Sequence, residues 1–356
     1  MPEKKQKQEE TQKERINHLK CPNCGNKNIL KKGIRKNKLQ NIQKYCCKAC
    51  GKFFTAEETK HKTYPIKIIL NAISYYNLGY TQKQTSAKID EKFKINLPQK
   101  TISNWLNEYK QICTFSRSRK QAIKHYSPKN IIKKQTLHHI QPYIFKCHNA
   151  KLNIAVKENP QFAALKDYIE KINSKQFPHR IFTYHQKNSG KSRASQIKFD
   201  YLRIKTRDKN NLANKLAKLA LQTITNNKQR HEAVQNFFLT NDSTTIAAEV
   251  PVYLTNWDAG YYKNQKGFSF PLSNYTTPIT GHIDILQIRN GLIHILDYKP
   301  NAKNQSPIEQ LTIYALALSR KLNLPLYHFK CAWFDESNYF EFFPLHVVYE
   351  KRGKIK

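Results

Sequence analysis

The stretch TGHIDILQIRNGLIHILDYK, residues 280–299, decides the fold of the second half of this 356-residue chain. Apolar, β-prone residues surround Asp284 and precede Asp297, and Arg289-Asn290-Gly291 separates the two runs, so the pattern predicts two adjacent strands joined by a turn. Adjacent strands can bring the two aspartates side by side, where they repel each other unless a cation lies between them. Lys299 follows Asp297 by two residues and therefore lies on the same strand face.

Such a pair of carboxylates suits a hard cation. All-oxygen ligands are what Mg²⁺ and Mn²⁺ prefer, and an ammonium group beside them can orient an attacking water or stabilise charge that develops on a phosphate. The alternative is that both aspartates are buried strand residues without a function and that Lys299 is an edge lysine. Aspartate is depleted in strands and costly to bury unpaired, which favours a functional site.

The segments on either side of these two strands extend the pattern. The expected order is helix, strand, the two strands of residues 280–299, helix, strand and strand. The flanking elements are predicted at Lys228–Phe238, Thr244–Leu254, Ser306–Arg320, Tyr327–Phe334 and Tyr339–Val348. Gln310 and Tyr314 lie one turn apart, on one face of the second helix.

Three motifs therefore follow one another in this part of the chain. They are Gly281-x-x-Asp284, Asp297-x-Lys299 and Gln310-x-x-x-Tyr314. Together they resemble the RecB-like branch of the PD-(D/E)XK nuclease superfamily. The resemblance covers about residues 228–350 and implies an α/β restriction-endonuclease-like core, in which helices flank a mixed sheet.

The resemblance also implies roles for individual residues. Asp284 and Asp297, helped by the backbone carbonyl of Tyr298, would bind the catalytic Mg²⁺ or Mn²⁺, and Lys299 would be the catalytic lysine.

Further residues of the resemblance surround that centre. Glu249 stands where these nucleases often carry a glutamate, and Gln310 and Tyr314 would brace the site and contact DNA. His231 and Glu232 lie on the preceding helix, where the family carries a metal-binding histidine or a site glutamate. The sequence does not separate these two residues.

Near the N-terminus, Cys21-x-x-Cys24 and Cys47-x-x-Cys50 form two knuckles. Four thiolates at this spacing suit a tetrahedral structural Zn²⁺. Cys46 is a fifth candidate, but Cys47 completes the second knuckle and is preferred. The pattern resembles the zinc ribbon that opens many insertion-sequence transposases.

A helix-turn-helix is predicted after the ribbon. Its helices are expected at Tyr64–Leu78, Gln82–Phe93 and Gln99–Ile112. The third helix begins with polar residues that suit contacts with base edges in the major groove. They are Gln99, Lys100, Thr101, Ser103 and Asn104. The alternative is a three-helix bundle that does not bind DNA, but the ribbon and the helices together resemble the head of transposases.

Charge divides the chain in the same way. Residues 226–356 hold 14 Lys/Arg and 11 Asp/Glu, so +34 of the net charge of +37 lies in residues 1–225. A basic front half predicts affinity for DNA phosphates that depends steeply on salt. No run approaches the roughly 20 apolar residues of a membrane span, so we expect a cytoplasmic, DNA-associated protein and no membrane contact.

The sequence of the middle of the chain gives the weakest indication of structure. Phe162–Ile172 and Asn210–Thr225 are predicted amphipathic helices, and the histidines and cysteine around His139 and Cys147 follow no recognised metal-ligand spacing. The region either completes the nuclease domain or forms a helical spacer.

One loop of this region carries Lys191 and Arg193 and is predicted to contact phosphates. Its Gly190-Lys191-Ser192 is similar to the end of a P-loop, but position 185 is a histidine where that motif needs glycine. We therefore expect no NTP binding.

These predictions combine into one organisation. It comprises a basic flexible tail (residues 1–17), a zinc ribbon (18–56), a helix-turn-helix domain (62–114), a helical and basic middle region (120–227) and a nuclease domain (228–350). The predicted function is a divalent-metal-dependent DNA nuclease in mobile-element, recombination or repair processes. The alternatives are a non-catalytic DNA-binding regulator or transposon accessory protein, and a transposase that also joins strands. Cutting both strands with one site per chain would favour a homodimer.

Overall fold

The computed structural model describes residues 19–36, 39, 41–55, 62–183, 193–198, 207–208, 211–224, 226–268 and 278–349. The strands are β1 (Ile29–Lys36), β2 (Asn41–Cys47), β3 (Phe53–Thr55), β4 (Ile132–His138), β5 (Pro142–His148), β6 (Arg207–Asp208), β7 (Thr245–Leu254), β8 (Ile279–Arg289), β9 (Leu292–Tyr298), β10 (Phe329–Phe334) and β11 (Tyr339–Phe342). The α-helices are α1 (Ile66–Asn77), α2 (Gln82–Phe93), α3 (Gln99–Tyr109), α4 (Arg119–Ala122), α5 (Asn149–Glu158), α6 (Ala163–Lys171), α7 (Leu212–Leu221), α8 (Arg230–Asn241), α9 (Asn256–Lys266), α10 (Ile308–Leu322) and α11 (Pro344–Val348). The predicted tail of residues 1–17 lies outside the described residues.

Strands β1, β2 and β3 form a small antiparallel sheet near the N-terminus. Its buried core consists of Cys21, Tyr45, Cys47 and Phe54. So few apolar side chains bury too little surface to stabilise a three-stranded sheet without a further cross-link. Two of the four core residues are cysteines of the predicted knuckles.

The remaining strands form one mixed sheet of eight strands, in the order β4-β5-β7-β8-β9-β10-β11-β6. Neighbours are antiparallel except for β9 and β10, which run parallel because the chain crosses over through α10 between them. Helix α10 is apolar on nearly all sides and packs against the sheet beside β7 and β10. The mixed sheet flanked by helices that the sequence predicts is therefore confirmed.

The two strands of residues 280–299 form a hairpin. Strands β8 and β9 pair antiparallel up to Arg289 and Leu292, and the residues between them, Asn290 and Gly291, have φ values of 52° and 70°. Positive φ at both central residues is what a type I′ hairpin turn requires, and Asn-Gly is a strongly preferred pair for it.

The middle of the chain contributes strands as well as helices. Helices α6 and α7 lie within the predicted amphipathic segments, but β4 and β5 were not predicted, and they pair in the large sheet beside β7. Residues 132–148 thus extend the same sheet that carries Asp284 and Asp297. The outer strand β4 is largely exposed and rich in lysine, which conceals the alternating pattern by which a strand is usually recognised.

The last predicted strand, Tyr339–Val348, is too long. Strand β11 ends at Phe342, and Pro344 begins the short helix α11. Proline lacks the N–H that a sheet ladder needs but fits the first turn of a helix.

Helices α1, α2 and α3 stand where three helices were predicted, and they pack onto the large sheet. Their buried residues share one hydrophobic cluster with α7, α8 and residues of β8, β9 and β10. A buried hydrogen bond from Asn77 Nδ2 to Asn241 Oδ1, at 2.9 Å, joins α1 to α8. In the described part of the chain, no helix has the length and apolar character of a membrane span.

Candidate active site

One cleft of about 280 Å³ gathers the catalytic and metal-binding side chains that the sequence predicts in the second half of the chain. Its lining includes Arg193, His231, Glu249, Asp284, Asp297, Lys299, Gln310 and Tyr314. Most of these residues lie on α8, β7, β8, β9 and α10 or next to them. The cleft therefore depends on the sheet order that sets β7, β8 and β9 side by side.

Asp284 and Asp297 meet across β8 and β9. They lie one position beyond the paired residues Ile285 and Leu296, so the hairpin register sets them opposite each other. Asp297 is 3% exposed. The backbone N–H of Tyr298 donates a hydrogen bond to Asp284 Oδ2 at 3.2 Å, which places the Tyr298 backbone at the carboxylate pair.

The two carboxyl groups titrate differently. Burial and the neighbouring charge of Asp284 raise the pKa of Asp297 well above its usual range. Burial also opposes ionisation of Asp284, but the hydrogen bonds from His231 and Asp297, with the charge of Lys299, outweigh it and hold the pKa of Asp284 below its usual value. The surroundings therefore favour the ionised form of Asp284 more than that of Asp297.

Lys299 is the cation nearest to Asp297. Its Nζ lies 2.9 Å from Asp297 Oδ2, and its side chain is 24% exposed. Burial favours the neutral amine, but the charge of Asp297 outweighs it and raises the pKa of Lys299. Asp297 Oδ2 is buried and has no hydrogen bond of good geometry with the described residues. A buried carboxylate oxygen with unused acceptor capacity is a natural cation ligand.

Glu249 lies on β7 beside the pair, in a strained conformation. Its φ of 53° is in the left-handed region, which costs a non-glycine residue about 1–3 kcal/mol and is typical of functional sites. Gln235 Nε2 donates a hydrogen bond to Glu249 Oε1 at 2.7 Å. Burial and the charge of Asp284 raise the pKa of Glu249 to about 7.

The structure distinguishes His231 from Glu232, the two residues of α8 between which the sequence did not decide. His231 Nδ1 lies 3.4 Å from Asp284 Oδ2, so the imidazole borders the cleft. Glu232 instead approaches the buried Lys146, with 3.6 Å between Oε1 and Nζ.

Gln310 and Tyr314 meet in the cleft, since Gln310 Nε2 donates a hydrogen bond to Tyr314 OH at 2.9 Å. The Tyr314 ring lies against Gly281, where a Cβ would come within 2.1 Å of Tyr314 Cε1. Burial, and then the charge of Asp297, raise the pKa of Tyr314, so that its hydroxyl stays protonated.

Four aromatic residues of the cleft had no role assigned from the sequence. They are His139, Tyr143, Phe182 and His282. The signal for His282 was available, since it lies two residues before Asp284 and therefore on the same strand face. The other three come from residues 139–182, whose place beside β7 depends on the two strands that were not predicted.

The four cysteines of the two knuckles converge as expected. Their Sγ atoms lie within 4.8 Å of one another, with 3.6 Å from Cys21 to Cys50 and 3.5 Å from Cys24 to Cys47. Tetrahedral Zn–S bonds of about 2.3 Å imply sulfur separations of about 3.8 Å, so the quartet could hold a metal such as zinc. Among the described residues, no other group of three or more Cys, His, Asp or Glu donors is as compact.

The predicted DNA-contacting residues differ in accessibility. Gln99, Lys100 and Asn104 are exposed on α3, whereas Thr101 and Ser103 are half-buried. Ser103 Oγ donates a hydrogen bond to a neighbouring helix, to Gln82 Oε1 at 3.0 Å.

The predicted phosphate-contacting loop is described only in part. Lys191 lies outside the described residues. Arg193 forms an isolated parallel bridge with Thr280 at the start of β8, which explains its position in the cleft.

Comparisons with family models, with curated proteins and with solved structures found no match to this chain.

Proposed function

We propose that this chain is a divalent-metal-dependent nuclease that hydrolyses phosphodiester bonds of DNA. The observation that carries the proposal is the meeting of Asp284, Asp297 and Lys299 in one cleft, with Lys299 Nζ 2.9 Å from the buried Asp297 Oδ2. Two buried carboxyls side by side repel each other when both are ionised. A bound cation would relieve this repulsion.

Asp284 and Asp297, the backbone carbonyl of Tyr298 and the His231 imidazole would hold this cation. Three of these four donors are oxygens, which Mg²⁺ and Mn²⁺ prefer. When bound, such an ion polarises a phosphate and makes water a better nucleophile.

The other residues of the cleft have separate tasks. The Lys299 ammonium would stabilise the charge that develops on the phosphate or orient the attacking water. Glu249, whose pKa is raised to about 7, can accept or release a proton near neutral pH. Gln310 and Tyr314 would fix the back of the cleft, because their mutual hydrogen bond orients both side chains.

The front half of the chain would bring DNA to the cleft. The cysteine quartet fits a zinc ribbon, and helices α1 to α3 fit a helix-turn-helix whose third helix exposes Gln99, Lys100 and Asn104. The +34 charge of residues 1–225 supports phosphate binding.

A cleavage assay with an isosteric variant tests the proposal. The purified chain is incubated with single-stranded, duplex and branched DNA and either Mg²⁺ or Mn²⁺, beside Asp297→Asn. We expect metal-dependent cutting by the native chain, and DNA binding without cutting by the variant. Cutting that survives in Asp297→Asn contradicts the assignment of the cleft.

One observation favours a second candidate, a DNA-binding protein without catalysis. The positive charge and the exposed face of α3 do not depend on the cleft. Tight, salt-sensitive binding with no cutting of any of the three DNA forms would identify this second function.

A further inference from the structure

Four aromatic side chains form one wall of the cleft. The Tyr143 ring stacks on the His282 ring, with centroids 3.6 Å apart and planes at 13°. The His139 ring stacks on Phe182 in the same way, at 4.3 Å and 13°. All four residues line the cleft that contains the carboxylate pair. We call this set the aromatic wall.

A chain of hydrogen bonds orients the two histidines. His179 Nε2 lies 3.0 Å from the Ile172 carbonyl oxygen, and since a carbonyl only accepts, His179 donates through Nε2. With its proton on Nε2 alone, the His179 ring accepts at Nδ1, 3.1 Å from His139 Nε2. His139 then accepts at Nδ1, 2.7 Å from His282 Nε2. One backbone carbonyl thus sets the tautomer of three rings in series.

No side chain of the wall is a lysine or an arginine, so the wall is not a phosphate-binding surface. The lysine and the arginine that line the cleft are Lys299 and Arg193.

Flat aromatic rings beside the carboxylate pair and Lys299 suit a nucleobase. Every base has a π-face, and stacking on an aromatic side chain stabilises single-stranded nucleic acid by about 1–3 kcal/mol per base. Tyr143 is only half-buried, and His282 lies against its ring. A base within an intact duplex is covered on both faces by its neighbours, so it must leave the stack before it can contact such a ring.

We propose that the aromatic wall is a subsite that stacks one unpaired DNA base on Tyr143, and that the cleft therefore acts on single-stranded DNA rather than on intact duplex. This inference rests on the proposed nuclease function and adds its substrate class. The stacked base would set the register of the bound DNA strand, so that an adjacent phosphate lies beside Lys299 and the carboxylate pair.

A binding measurement tests the subsite without requiring catalysis. Asp297→Asn protein is titrated, in the absence of divalent ions, into a single-stranded oligonucleotide with 2-aminopurine at one position. A hairpin duplex of the same sequence serves as the second probe. We expect quenching of the single-stranded probe because the base stacks. When Tyr143→Ala is combined with Asp297→Asn, the quenching should disappear and the affinity for single-stranded DNA should fall about tenfold.

Two further variants provide controls. Tyr143→Phe keeps the flat ring and should bind as the parent does. Tyr327→Ala removes a tyrosine that is 59% exposed and does not line the cleft, and it should leave both probes unaffected. If thermal melting shows that Tyr143→Ala is unfolded, Tyr143→Leu replaces it, since leucine is apolar but has no flat ring.

The outcomes separate this inference from the proposed function. The subsite is disproved if Tyr143→Ala and Tyr143→Leu give the same quenching and affinity as Tyr143. It is also disproved if these variants lose equal affinity for the single-stranded probe and for the duplex. A native chain that shows the Tyr143-dependent quenching but cuts no DNA retains the subsite and disproves the hydrolysis. A chain that cuts duplex faster than single strands disproves the substrate class and retains the nuclease.

Discussion

The Tyr314 ring occupies the space that Gly281 leaves by having no side chain. A Cβ at Gly281 would lie 2.1 Å from Tyr314 Cε1 and 2.8 Å from Tyr314 OH, closer than real Cβ contacts. The first and the last of the three sequence motifs are therefore in direct contact. The glycine of the first motif is needed for close packing, not for an unusual backbone angle.

Gly281→Ala is expected to disturb the site and the stability together. The added methyl group forces the Tyr314 ring out of place, and overpacking of this kind typically costs about 1–3 kcal/mol. Chemical unfolding would show the loss of stability, and a cleavage assay the loss of activity.

A matched glycine and a double variant serve as controls. Gly260 lies within α9, and no atom would lie within 4 Å of its Cβ, so Gly260→Ala should leave stability unchanged or raise it by up to about 1 kcal/mol. Combining Gly281→Ala with Tyr314→Ala should cost less than the two single losses added together. Strict additivity would show that the contact is not the cause.

Glu249 is expected to make stability depend on pH. In the unfolded chain its carboxyl titrates near the ordinary value of 4.5, and in the folded chain its pKa is about 7, because of burial and then the charge of Asp284. Between these values the folded protein keeps a proton that the unfolded chain has released. The free energy of unfolding should therefore fall as pH rises from about 4.5 to about 7, and level off above that window.

Glu249→Gln isolates this effect, since glutamine cannot ionise and can still bond to Gln235. We expect the variant to lose less stability than the native chain over the same pH window, by roughly 3 kcal/mol, in metal-free unfolding curves. Identical pH profiles for the two proteins would mean that Glu249 titrates normally.

The hairpin and the site residues around it could be predicted because they are local in sequence. Asn290-Gly291 determines the turn, and the turn fixes the register that opposes Asp284 to Asp297. Tyr143 could not be placed in the same way. Its strand, β5, lies about a hundred residues before β7 in the chain and pairs with it through few residues. No local sequence pattern therefore predicts that β5 and β7 are neighbours.

The cysteine quartet allows a test with a neighbouring control. Cys47 is fully buried among the four sulfurs, whereas the Cys46 side chain points to backbone carbonyls. Cys47→Ser should abolish stoichiometric zinc, measured by elemental analysis, and should unfold the small sheet, because the metal replaces a missing core. Cys46→Ser should keep one zinc per chain. Loss of zinc in both variants, or in neither, contradicts the predicted ligand set.

Helix α3 should contribute to the salt dependence of DNA binding. Lys100 is exposed near the start of this helix, and the loss of one phosphate-contacting lysine reduces the slope of log affinity against log salt by about 1. We expect this reduction for Lys100→Gln in fluorescence anisotropy titrations. Lys67→Gln changes an exposed lysine on α1 and should have a smaller effect. Equal slopes for the two variants would show that α3 does not present a preferred DNA-binding face.

Cleavage by Lys299→Met, beside Lys321→Met, tests the central claim most directly. Each lysine forms one ion pair with a buried aspartate, Lys299 with Asp297 at 2.9 Å and Lys321 with Asp258 at 2.8 Å, and their exposed fractions are 24% and 19%. Only Lys299 lines the cleft. We expect Lys299→Met to reduce metal-dependent DNA cleavage at least about 100-fold and Lys321→Met to retain it. Equal activity in both variants, or cleavage that persists without a divalent ion, would contradict the assignment of this cleft as a metal-dependent nuclease site.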